Sequence, residues 1–264
     1  MRSRAGWLLA LAALIAINIA VFGVIRSSSA SYWPTLKLHT LGPFDGFPLV
    51  RSNFLLALGG VLTADFALLG RRSAVARLLG FSRSERVDIV LFVVRLVGLG
   101  YTVPVLLTAG LISFTPIMLA EWRSDVLGWL PTVPRLGNQI AQVVLYTTIV
   151  DFLRYWWHRW MHRSPVLWPF HEVHHSATSF TILTGDRVHP IEYVFALPTV
   201  VFPLVLLGAT PGQSLVAITV LRIVDFAQHS MVGLNYGWLG RWVIYSPVGH
   251  RIHHSPEPEH WDTN

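Results

Sequence analysis

Residues 151–175 read Asp151-Phe-Leu-Arg154-Tyr155-Trp-Trp-His158-Arg-Trp-Met-His162-Arg-Ser-Pro-Val-Leu-Trp-Pro-Phe-His171-Glu172-Val-His174-His175. An apolar, aromatic run passes here into five histidines within eighteen residues. At about 100° per residue, His158 and His162 lie some 40° apart around a helix and ~6 Å along it. Both imidazoles can therefore reach one ion. His171 stands one turn below His174 and His175, so those three can point at a common centre. His250-Arg-Ile-His253-His254 repeats the H-x-x-H-H spacing. Of the twelve histidines in the chain, only His39 precedes residue 158. Such crowding selects for transition metals rather than for a solvated polar surface.

Around this cluster the chain is greasy. Apolar residues make up 53% of the 264, charged residues 13%, and mean hydropathy is +0.51. A soluble domain carries about 25% charged residues, so these are too few to cover a water-facing surface. The absence of cysteine excludes disulfides, Fe–S clusters, Cys–zinc sites and thiol catalysis. The net charge of +6 comes from nineteen arginines and one lysine against fourteen acids. In so apolar a chain it reads as a topology signal, not as a nucleic-acid footprint.

Apolar runs at Trp7–Ile25, Phe54–Gly70, Val87–Ile112 and Asn138–Trp157 are expected to span a bilayer. The first is longer than a signal h-region and is read as a retained helix. The third carries Asp88 and Arg95. Tyr193–Ala209 and Gly212–His229 form a further apolar pair that crosses or re-enters, with a turn at Thr210-Pro211-Gly212. Arg2, Arg4 and the arginines at 71, 72, 77, 83 and 86 put the N-terminus and the loop after the second span in the cytoplasm. Residues 158–189 and those after 229 then face the cytoplasm together. The expected architecture is an all-α integral membrane protein with about four to six membrane helices and a cytoplasmic, histidine-rich di-metal site. Residues 1–137 supply N-terminal helices and loops and 138–264 the catalytic region, folded as one domain. The arginine bias points to a GC-rich genome and a bacterial cytoplasmic membrane.

Four further residues have two readings each. His189, in Arg187-Val-His189-Pro190-Ile-Glu192, is a ligand or a histidine ahead of a helix with Pro at its first turn. His229 ends an apolar run four residues after Asp225. It is read as a ligand, and Asp225 as a second ligand or as its hydrogen-bonding support. Asp151 shares a helix face with Arg154, Tyr155, His158 and His162. It either pairs with Arg154 or supports the first histidine pair. His39 and His260 have no partner at ligand spacing.

Eight or more imidazoles without cysteine are too many for one ion and suit two, each with open positions. Zinc hydrolysis needs three ligands and a water, whereas iron with open positions can bind and reduce dioxygen. At a membrane face, that chemistry suggests oxidation of a lipid C–H bond.

His158-x-x-x-His162, His171-x-x-His174-His175, Arg187-x-His189-Pro-x-Glu192, and His250-Arg-Ile-His253-His254-Ser with Asp262-Thr-Asn264 together resemble the fatty acid hydroxylase/sterol desaturase superfamily. The nine-residue step between the first two boxes separates it from acyl-lipid and acyl-CoA desaturases. The resemblance covers roughly 138–264. It implies a membrane di-iron oxygenase that uses O2 and external electrons to hydroxylate or desaturate a lipid. Its implied ligands are His158, His162, His171, His174, His175, His250, His253 and His254, with His189 and His229 added. No C-x-x-C-H or dinucleotide fingerprint is present, so a separate reductase, cytochrome or ferredoxin is expected as electron donor. The single histidine at 229, where some relatives carry two, departs from the pattern. The end at Asn264, where relatives continue into Tyr-Gly and a further helical stretch, reads as a truncated sequence or a short cap. Competing classes are a membrane zinc hydrolase with Glu172 as its base, and a metal transporter. The H-E-x-H-H order does not match H-E-x-x-H, and a transporter needs its ligands at mid-depth within the spans.

Overall fold

The computed structural model describes residues 47–96 and 136–260, with isolated positions 12, 13, 16 and 99. Among them all regular structure is helical: α1 Phe47–Leu69, α2 Ala74–Leu78, α3 Arg83–Leu96, α4 Gln139–Arg163, α5 Trp168–His175, α6 Tyr193–Ala196, α7 Phe202–Leu206, α8 Pro211–Gln228, α9 Gly237–Trp242 and α10 Pro247–His253. The expected all-α class holds for these residues. The expected span at 7–25, apart from positions 12, 13 and 16, lies outside the described residues. So do His39 and nearly all of 97–112.

Among the described residues one helix, Phe54–Arg72, is long and apolar enough to cross a membrane. Helix α4 has the length, 25 residues, but its C-terminal half carries Asp151, Arg154, Arg159 and Arg163 beside its two histidines. The expected 193–209 run is helical without a break over 193–206. Pro198 and Pro203 each remove a backbone donor, and the chain runs through α6, a π-helical stretch Leu197–Val201 and α7.

The chain divides into two compact units. The first comprises Met1–Arg86, Ser179–Leu183 and Arg222–Arg251. Its α1 is fastened to α2 by Asp65, a buried carboxylate that accepts the Ala74 N–H (2.6 Å) at the start of the second helix. Arg222 lies over the rings of Phe54 and Phe226, 5.0 and 4.5 Å from their centroids. Glu85 accepts from the Ser82 N–H (2.7 Å) and the Ser179 hydroxyl (2.5 Å). A Cβ at Gly240 would stand 1.7 Å from the Asn235 carbonyl oxygen, so only glycine fits there.

The second unit comprises Val87–Thr178, Thr184–Leu221 and Ile252–Asn264. Asn138 caps α4 by accepting the N–H groups of Ile140 and Ala141. Helix α4 buries Gln142, Tyr146 and Val150 at intervals of four, one stripe of a 3.6-residue period. Tyr146 and Val150 pack on Leu204, Ala217 and Leu221 to form the unit's core. With α4 seated this way, its last two turns carry His158 and His162.

Candidate metal centre

In the second unit, the four imidazoles of His158, His162, His171 and His175 each offer a nitrogen, and these atoms lie within 4.8 Å of one another. Helix α4 supplies the first pair at i and i+4, with Nε2 atoms 3.2 Å apart. Helix α5 supplies the second pair with the same spacing, their rings 5.0 Å apart. Pro169 in the first turn of α5 costs no hydrogen bond there. His253 closes on the group, its Nε2 at 3.3 Å from that of His158.

The chemistry of this set fits a metal ion. Nitrogens bound to one ion at about 2.1 Å stand roughly 3.0–3.4 Å apart, which is the closest spacing observed. The Nε2 atoms of His171 and His175 are buried and have no hydrogen-bond partner. A buried polar atom left so costs about 1–3 kcal/mol, and coordination removes that cost. Burial, and then the neighbouring histidines, hold the pKa of both imidazoles far below the ordinary value. They stay neutral, the state in which imidazole donates to a metal.

Glu192 completes the support. Its Oε2 lies 3.2 Å from His171 Nδ1. With Nε2 turned to a metal, Nδ1 carries the proton and donates it to this carboxylate, fixing tautomer and ring plane. Burial pushes Glu192 up to about 8 in the metal-free protein, against the lowering effect of its backbone hydrogen bond at His189.

Residues 184–192 brace the same helix at both ends. The Thr184 hydroxyl and Arg187 Nε donate to the two oxygens of Asp88, at 2.9 and 2.6 Å, and Arg95 pairs with Asp186. Arg187 Nη1 then reaches Ser176 (3.2 Å), the residue that ends α5. So Arg187 grips α5 just past His175, while Glu192 grips His171 one turn from its start. Asp88 and Asp186 are fully buried, and each carboxylate is paired.

Other histidines form pairs. His174 and His254 have rings 4.5 Å apart in the second unit. In the first unit, His229 and His250 are both buried, with Nε2 atoms 3.0 Å apart. His229 Nδ1 donates to the Asp225 carbonyl oxygen (2.8 Å), which leaves its Nε2 as the lone-pair nitrogen. The Asp225 carboxylate is engaged by Arg222 (2.6 Å) and is 3.6 Å from His229 Nδ1. Its support for His229 thus comes mainly through its backbone.

Two sequence candidates are not brought to the cluster. His189 caps the 3-10 turn Pro190–Glu192, its Nδ1 accepting the Ile191 N–H (3.2 Å), and its ring packs on Phe170. This is the second of its two readings. The Asp151 side chain is 59% exposed and stands 3.6 Å from Arg154, the geometry of the ion pair. Glu172 is exposed, whereas its neighbour His171 is buried. Sequence reasoning gave no role to Glu192, Arg187 or Asp88. Two signals pointed to them: opposite charges seven residues apart at 88 and 95 in an apolar run, and Glu192 inside a histidine-bearing motif.

Comparison with known proteins agrees with this geometry. Residues 143–264 match the fatty acid hydroxylase family. An ornithine lipid hydroxylase of Rhizobium tropici is 33% identical over 123 residues, 47% of this chain and 37% of that protein. An alkylglycerol monooxygenase of Xenopus tropicalis is 30% identical over 44% of this chain and 25% of its own length. A methylsterol monooxygenase of Arabidopsis thaliana is 32% identical over 56% of this chain and 49% of its own length. The matches span between a quarter and half of each relative. No solved structure matches. Residues 143–264 are thus similar to the fatty acid hydroxylase/sterol desaturase superfamily, by the family match and by these relatives.

Proposed function

We propose that the protein is a multi-pass membrane oxygenase. It holds two irons on its histidines and uses O2 and electrons from a separate donor to hydroxylate or desaturate a lipid. The observation that carries this reading is the four-imidazole group with its partnerless, neutral Nε2 atoms at His171 and His175. An all-nitrogen set without thiolate suits iron, and an ion so held keeps open positions. One ion is assigned to His158, His162, His171 and His175. The further ligands that the resemblance implies are His174, His229, His250, His253 and His254. His189 and Asp151 are left to the cap and the ion pair described above. The named relatives act on ornithine lipid, alkylglycerol and methylsterol, which supports a lipid substrate.

Iron in this site would supply the binding and reduction of O2. The protein's part is to hold the ligands neutral and aimed. Burial keeps His171 and His175 unprotonated, Glu192 holds the Nδ1 proton of His171, and the Asp225 carbonyl does the same for His229. The boxes are assigned to the cytoplasmic face, where a reductase, cytochrome or ferredoxin can reach them. Catalysis belongs to residues 138–264 and anchoring to the helices before them.

Exposure of Glu172 leaves the zinc-hydrolase reading without its base. The direct test is to reconstitute purified protein with iron under anaerobic conditions, then add O2, a reductant and membrane lipid extract. Oxygenated or desaturated lipid should appear, and should be absent with His171→Ala. Lipid hydrolysis in its place would overturn the proposal.

A further inference from the structure

In the first unit, one face of α1 borders an open apolar groove of about 440 Å³. Leu56, Gly60, Ala64 and Leu68 recur every fourth residue along it, with Ala227 of α8 and Leu234 opposite. Twelve residues of helix at 1.5 Å each make the groove about 18 Å long. We propose that this groove seats one unbranched hydrocarbon chain of a membrane lipid, and that Gly60 and Ala64 set the bulk it accepts. That the chain is substrate rests on the oxygenase reading. That it binds here does not.

Five observations carry the proposal. The groove follows α1 from Leu56 to Leu68, the path an extended hydrocarbon chain takes along a helix. Its lining is otherwise apolar: the polar groups there are Ser230, Tyr236 and Asp65, whose Oδ2 accepts from the Ala74 N–H while its Oδ1 is buried without a partner. A Cβ built on Gly60 meets no atom within 4 Å, so the missing side chain is what leaves that stretch open. The groove also adjoins candidate ligands. Ala227 and Ser230 flank His229 in sequence, and Pro247 lies three residues before His250. Helix α1 includes the one described segment of membrane-crossing length and composition, so its open face meets acyl chains in a bilayer.

The test is photolabelling of the full chain in detergent with palmitate carrying a diazirine at its ω end, attachment sites being mapped by peptide mass spectrometry. Adducts are expected on residues 56–68 and 223–236. Gly60→Phe should reduce them about tenfold or more, the loss of about 1.4 kcal/mol or more of chain binding. Ala64→Leu should reduce them less, and its helical circular dichroism and iron content should match the parent's. Adducts that ignore both substitutions would overturn the proposal. So would stronger labelling of the groove by a sterol diazirine. An unlabelled groove in a protein labelled elsewhere would also overturn it, because another part of the chain would then cover the site. Labelling needs no iron, O2 or reductant, so its failure is separable from failure of the oxygenase reading.

Discussion

Glu192→Ala removes the carboxylate that fixes His171, and its effect on metal affinity can be worked out in advance. His171 and Glu192 side chains are 4% and 11% exposed, so water cannot replace the lost acceptor cheaply. Without it, the Nδ1 proton has no partner, the ring is free to turn, and the Nε2 lone pair loses its aim. Losing such an outer partner weakens metal binding about 10–100-fold, or roughly 1.4–2.7 kcal/mol. Glu192→Gln keeps an oxygen at the same reach and should stay much nearer the parent than Ala does. The assay is competition for ferrous or cobaltous ion against a coloured chelator, anaerobically, with circular dichroism confirming that both variants fold. Parent-like affinity in the Ala variant would refute the role given to Glu192. Equal losses in Ala and Gln would show that packing, and not the hydrogen bond, matters.

The remaining predictions concern the scaffold and the two candidates that lie outside the cluster. Stripped of metal, the protein should lose stability as pH falls below about 6.5, because unfolded histidines take up protons that buried His171 and His175 refuse. Glu192 acts with the opposite sign. Folded, it holds a proton up to about pH 8, so its contribution is lost as pH rises from 4.5 towards 8. Thermal unfolding of the stripped protein that is flat across this range would contradict both assignments. Arg187→Leu leaves the Asp88 carboxylate buried and unpaired at that oxygen, which should cost about 3–5 kcal/mol. A denaturant midpoint unchanged from the parent would refute it. Asp151→Asn should leave metal affinity unchanged, as should His189→Ala, whose lost cap should cost only about 1 kcal/mol of stability. A tenfold drop in affinity for either would return that residue to the site.

The histidine cluster was legible because its signal is local. Spacings of three and four residues are fixed by helix geometry, and both α4 and α5 proved helical. What joins α4 to α5, and Glu192 to His171, is tertiary, and no periodicity encodes it. The backbone hydrogen bond from Ile191 N–H to His189 Nδ1 is a local feature that residue spacing alone did not single out from the two readings of His189. The apolar run at 193–209 was legible from hydropathy, but the π-helical stretch Leu197–Val201 within it was not, because hydropathy ignores the backbone donors that Pro198 and Pro203 lack. Likewise Asp88 and Arg95 could be noticed in an apolar helix, but their partners at 186 and 187 lie some ninety residues away.

Metal analysis of the detergent-purified chain tests the central claim most directly. Elemental mass spectrometry after anaerobic iron loading should find about two irons per chain, and at most about one when His158 and His171 are both replaced by Ala. A single zinc that iron does not displace, or two irons retained by that double variant, would contradict it.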